Sequence, residues 1–228
     1  MSAAAQVARV VEPGFQLAVN GDGSAAVKVF LFLTALSFAS AALTCLTSFT
    51  RIVIVLSFLR QALGTPQMPP NPVIIGLSLA LTGFVMAPTA SRIQAEALGP
   101  YLEDRVSSGD ALQRAWTPLG EFMSRQTRNE DLALFFDLGG QGRPSRADGV
   151  PPTVAIPAFM VSELTTAFRM GLFLFVPLVL VDLLVSTILL SLGMMMVPPT
   201  LVSLPLKVGI FLLADGWHLV VASLARSF

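Results

Sequence analysis

The sequence predicts an all-α protein made of membrane-like helical hairpins with a small polar helical insert, and three observations predict it. First, only 12% of the 228 residues are charged while 54% are hydrophobic, and mean hydropathy is +0.75; soluble domains carry about 25% charged residues. Second, the charges are gathered. Sixteen of the 28 lie between Arg92 and Asp148, and that window holds seven Arg and nine acids, net −2. Third, apolar runs of membrane-helix length lie on both sides of the window and are broken by Pro and Gly clusters.

The N-terminal arm, 1–26, is small, polar and punctuated by Glu12-Pro13-Gly14 and Asn20-Gly21-Asp22-Gly23. No apolar core precedes Val27, so no signal peptide is expected within it. The first apolar hairpin is assigned to 27–90. Val29 to Phe49 runs 21 residues without a charge, enough for one membrane-length helix. Arg51 interrupts, and Ile52 to Leu59 then either continues the helix or forms an interfacial turn. Gly64 to Pro72 is a Pro-rich connector, and Val73 to Ala87 is a second apolar stretch of 15 residues with Pro88 just past its end.

The polar insert is assigned to 91–152. A helix from Arg92 is expected to stop at Gly99-Pro100, and Asp110 to cap a short helix ending before Pro118. Leu119 to Phe136 places Leu119, Phe122, Met123, Leu132, Leu134, Phe135 and Phe136 at amphipathic spacing, as one helix or two. Gly139 to Pro152 reads as a loop. The second apolar hairpin, 153–228, carries its break at Gly193-Met194-Met195-Met196-Val197-Pro198-Pro199. Two prolines without N–H groups stop a helix there, and Pro198 moves Val197 out of the helical region. Met is flexible and polarizable, so three in a row suit a gap of changing shape; a turn whose Met residues fill a core gap is the plainer alternative.

Isolated charges in the apolar runs are the functional candidates. Asp182 lies 11 residues before Gly193 and Lys207 lies 14 after it, so a hairpin brings them near each other, and pairing is the default for charges in a low-dielectric site. Glu163 and Arg169 stand six apart on one helix and do not face each other, so each is expected to find a partner elsewhere. Zero net charge argues against nucleic acid. Cys45 and His218 are the sole residues of their types; with no HExxH and no GxSxG, no metal, cofactor or enzymatic chemistry is expected. Arg51 and Arg60 in the first connector, against a net acidic insert, place the connector inside and the insert outside.

Several long motifs carry a specific resemblance. Leu46-Thr47-Ser48-Phe49-Thr50-Arg51, Leu59-Arg60-Gln61-Ala62-Leu63-Gly64-Thr65-Pro66, Pro157 through Gly171, Val181-Asp182-Leu183, Gly193 through Pro199 and Asp215-Gly216-Trp217 resemble the FliP/SctR family of type III secretion export-gate proteins from about Ala26 onward. Arg125-Gln126-Thr127-Arg128 and the Met-Val-Pro-Pro tip favour its flagellar branch over the injectisome branch. The departure is at the N-terminus, where many flagellar members carry a cleavable signal peptide.

The resemblance implies a core subunit of the flagellar export gate. About five copies assemble with FliQ-like and FliR-like subunits into a helical ring, beside further export-apparatus membrane proteins, at the basal body in the bacterial inner membrane. The polar insert lies on the periplasmic side, and unfolded flagellar proteins pass through the ring. It implies that Met194, Met195 and Met196 form a compliant pore seal, with Gly193, Pro198 and Pro199 breaking the helix there. Asp182 and Lys207 become subunit-packing charges. It implies no catalysis, energy coming from a separate ATPase and the proton motive force. The rivals are the equivalent injectisome subunit and an ion or solute transporter using Asp182, Glu163 and Lys207; the latter predicts internal repeats, and none is seen between the hairpins.

Overall fold

The computed structural model describes residues 23–65, 67–140 and 150–228. Nearly all of the expected N-terminal arm, Pro66 of the connector and most of the loop expected from Gly139 to Pro152 lie outside the described residues. The chain divides into two compact units, 1–43 and 44–228. In the first, helix α1 (Gly23–Leu46) begins and exposes Val29, Phe30, Leu33 and Phe38. Two of its hydroxyls turn onto their own helix: Thr34 Oγ1 donates to the Phe30 carbonyl at 2.8 Å and Ser37 Oγ to that of Leu33 at 2.9 Å.

The second unit holds the rest, and every regular element among the described residues is helical. The order is α2 (Phe49–Ala62), α3 (Asn71–Ile93) running through a π turn (Gln94–Leu98) into the short α4 (Gly99–Leu102), then α5 (Ser108–Gln126), α6 (Asn129–Leu138), α7 (Pro152–Ser191), α8 (Pro199–Leu213) and α9 (Gly216–Arg226). Among the described residues two helical stretches are long and apolar enough to cross a membrane, Asn71–Leu102 and Pro152–Ser191, and up to four if two bent pairs each count as one span. At about 1.5 Å per residue the 40 residues of α7 extend about 60 Å, twice a hydrocarbon core.

Five boundaries differ from expectation. The break in the first apolar run falls at Thr47-Ser48, before Arg51, and Thr50 Oγ1 bridges it by donating to the Thr44 carbonyl at 2.6 Å. Arg51 therefore sits inside α2. Helix α3 passes through Pro88, and the run continues past Gly99-Pro100 because the π turn shifts the hydrogen-bond ladder there. Ser107, not Asp110, caps α5: its Oγ accepts from the Asp110 N–H at 3.2 Å and donates to the Asp110 carboxylate at 2.8 Å, a reciprocal cap. That helix carries on through a buried Pro118 to Gln126, so tertiary contact outweighs the one lost N–H.

Helix α2 lies chiefly along α7. Ile52, Val55, Leu56 and Leu59 of α2 pack with Ala167 of α7 and with Val220 and Leu224 of α9. Each such side chain contributes about 1.5–3 kcal/mol by leaving water. The approach is close because position 171 is glycine: a Cβ there would stand 2.6 Å from Phe58 Cγ. Phe58 also meets Phe168 edge to face at 5.3 Å. A second cluster, Phe122 and Met123 with Ala155 and Phe159, seats the insert on the start of α7.

Candidate functional site

Helix α7 ends in a glycine stop. Gly193 adopts φ +74°, donates to the Leu190 carbonyl at 3.0 Å, and the next N–H, of Met194, reaches back to Leu189 at 2.9 Å. This pair of bonds is the Schellman arrangement, which satisfies the last carbonyls and turns the chain sharply. Pro198 then stands extended before Pro199 opens α8 with its fixed φ. Between these two boundaries the three methionines are pushed outward: Met194 is 45% exposed, Met195 79% and Met196 96%. They do not fill a gap within this chain. They form an apolar, flexible tip.

Below the tip the two arms are joined by charge. Lys207 Nζ, on α8, donates to the Asp182 carboxylate on α7 and to the Ala62 carbonyl at 3.1 Å. Lys207 is buried while Asp182 is about one-third exposed. Ala62 closes α2, so the cation also meets the negative end of that helix. One ammonium thus ties three helices together beneath the methionines.

A second charged node lies deeper. Arg51 is 2% exposed and Glu163 is fully buried. Arg51 Nε donates to Glu163 Oε2 at 2.9 Å and its terminal NH2 group donates to the other carboxylate oxygen. The remaining guanidinium N–H groups donate to the Ser227 carbonyl at 2.8 Å and Gln126 Oε1 at 3.2 Å. The guanidinium carbon stands 4.0 Å from the centre of the Phe228 ring, a cation–π contact. Gln126 Nε2 donates to the Phe228 carbonyl at 2.7 Å. Beside it Ser162 Oγ accepts from the Arg128 N–H at 3.0 Å and donates to the Gln126 carbonyl at 3.3 Å. Both buried charges are therefore satisfied, the condition under which such a pair is tolerated.

Arg169 is exposed on α7, and no carboxylate pairs with it among the described residues. In the insert, Arg92 donates to Glu121 and, at 3.1 Å, to Glu96. The Arg92 hydrogen bond holds the Glu121 carboxyl below its ordinary value, against the opposing push of desolvation. No group of three His, Cys, Asp or Glu among the described residues is placed to hold a metal.

The sequence matches the FliP family over residues 32–224, a stretch that contains both charged pairs and the methionine turn. The chain belongs to the FliP family. It is 49% identical over 205 residues to the flagellar biosynthetic protein FliP of Bacillus subtilis, covering 90% of this chain and 93% of that one. Against FliP of Pectobacterium carotovorum it is 50% identical, covering 89% and 78%, and against FliP of Aquifex aeolicus 47%, covering 95% and 92%.

Three members of this FliP-family site escape sequence reasoning. Arg51 reads as an interruption of an apolar run, Gln126 as part of a branch-specific motif, and the Ala62 carbonyl as nothing at all. A signal for the first was present: Arg51 and Glu163 are each lone charges in apolar surroundings, and such charges seek each other.

Proposed function

We propose that this chain is a core subunit of the flagellar type III protein export gate and helps form the channel through which unfolded flagellar proteins leave the cell. The supporting observation is the exposed Met194–Met196 tip, held by a glycine stop and two prolines within a FliP-family chain. A monomer gains nothing from presenting three methionines to solvent. Several copies with these tips converging gain a compliant apolar closure, because Met side chains repack at little cost and a narrow apolar constriction excludes water and ions.

In this reading about five copies assemble with FliQ-like and FliR-like subunits, next to further membrane proteins of the export apparatus, in the inner membrane at the basal body, with the insert 91–152 on the periplasmic side. The hairpins, 27–90 and 153–228, build the ring. The Lys207–Asp182–Ala62 junction fixes the base of each tip, and the Arg51–Glu163 node holds the insert against the helices. The chain supplies a passage and no bond-making chemistry. The test is ion leak across the inner membrane together with export of a flagellar substrate, in cells carrying Met194, Met195 and Met196 all changed to Ala. Raised leak with an assembled gate is the expected result; wild-type leak in an assembled gate overturns the seal.

A further inference from the structure

Eight charged side chains outside the insert are described by the structure, and most have an evident role. Arg51 pairs with Glu163 and Lys207 with Asp182. Arg60 hydrogen-bonds to Asn71 and to the Pro69 carbonyl. Arg226 stands in the last turn of α9, where a cation meets the helix dipole favourably. Two of opposite sign remain, Arg169 and Asp215.

Their surroundings make the remainder informative. Arg169 is flanked on α7 by Phe168, Leu172, Phe173 and Val176, all exposed, with Phe173 80% so. Met170 and Phe173 line an apolar groove of about 480 Å³ between α7 and α9. A surface of this kind is covered in use, by protein or lipid, and a guanidinium covered along with it needs a counter-charge. Asp215 occupies the cap position of α9 in the left-handed region, φ 50°, yet its side chain caps nothing. Its nearest cation-capable neighbour is the exposed His218 ring at 3.8 Å, beyond hydrogen-bond reach. Leu213 beside it is 91% exposed. The turn is rigid, because Gly216 lies so close under Phe211 that a Cβ would meet that ring at 2.2 Å, and Trp217 stacks edge to face on the same ring. The backbone at Asp215 is therefore held in place, and its exposed carboxylate stands beside the apolar Leu213.

We infer that Arg169 of one copy pairs with Asp215 of the neighbouring copy. In a closed ring of several identical subunits the contact is head-to-tail, Arg169 of each copy meeting Asp215 of the next. It rests on the multi-copy reading above and specifies one of its contacts. Pairing the two charges within apolar surface leaves neither one buried alone and sets the register between copies.

The test uses the chain co-expressed with its neighbouring subunits, in a Cys45→Ser background. Arg169→Asp and Asp215→Arg alone are expected to lower the yield of the closed oligomer by about tenfold or more, and the double reversal to restore it. In parallel, chains with Arg169→Cys are mixed with chains carrying Asp215→Cys and oxidised. A disulfide joining the two kinds of chain arises only between copies and is the supporting result. If the single reversals assemble like the unsubstituted chain, the pairing is wrong while the multi-copy gate stands. The same holds if the double reversal recovers nothing and no disulfide forms in an intact oligomer; Arg169 then faces a lipid headgroup or a different subunit. If the unsubstituted chain forms no oligomer, the gate reading itself falls, and this contact with it.

Discussion

Arg51 and Glu163 stand 112 positions apart and form one two-pronged ion pair inside the protein. The same guanidinium also holds Gln126 of the insert and Ser227 past α9. One arginine therefore ties together α2, α7, the insert and the last residues of the chain.

Removing half of that node leaves a buried charge unpaired. Glu163→Gln and Arg51→Met are each expected to cost about 3–5 kcal/mol, seen as a lower melting temperature in detergent and faster proteolysis at the insert. The double replacement Arg51→Met with Glu163→Met removes both charges and is expected to recover much of the loss. A double variant no better than the singles would show that the hydrogen bonds to Gln126 and Ser227, rather than the charge balance, hold the junction.

The two ends of the Lys207 junction are not equivalent. Asp182→Asn keeps the ammonium on the Ala62 carbonyl and leaves a neutral acceptor in place. Lys207→Met removes both contacts and strands a partly buried carboxylate. Lys207→Met is therefore expected to be the more damaging in both assembly yield and export. Equal effects would mean that the Ala62 contact contributes nothing.

Position 193 is held at φ +74° with open space around a would-be Cβ. Gly193→Ala meets no clash and still costs about 1 kcal/mol through its backbone alone. Its readout is a modest drop in stability together with raised ion leak, because the methionine tip leaves its set direction. Gly171→Ala is a different case. There the Cβ collides with Phe58, so a loss of about 1–3 kcal/mol from forced repacking is expected, and Phe58→Leu in the same chain should relieve part of it.

The insert carries a pH-dependent term. Glu121 is held below its ordinary value of 4.5, first by the Arg92 hydrogen bond. A carboxylate lowered on folding adds stability that is present above that value and is lost as pH falls through the lower, folded one. Acid unfolding of the insert monitored from pH 7 to pH 3 should therefore be steeper in the wild type than in Glu121→Gln. Both groups are substantially exposed, so added salt should shrink the difference. An unchanged acid limb in Glu121→Gln would rule the pair out as its source.

The all-helical fold, the long apolar helices and the break before Pro199 were all legible in the order of residues. Scarce charge, apolar run length and Pro-Gly breaks are local properties, and local backbone physics acts on them directly. The boundaries around Pro88, Pro100 and Pro118 were not. Proline predicts a stop from its missing N–H alone, while Pro118 is buried within α5 and the π turn carries the chain past Gly99-Pro100. The direction of the methionines was open as well. The break is written in Gly193 and Pro198, but only the Schellman turn decides that Met194 to Met196 face outward.

By itself, then, the sequence determined an all-helical, membrane-like chain of the FliP family with a break at Met194–Met196, since each of these is set by composition, short spacing or motif. Only the tertiary structure decided which lone charges meet. Arg51 finds Glu163 and Gln126, and Lys207 finds the Ala62 carbonyl as well as Asp182. Nothing in the neighbourhood of Arg51 or Ala62 along the chain encodes those partners; they follow from how α2 packs on α7 and α8, where burying a charge is tolerated only opposite its complement.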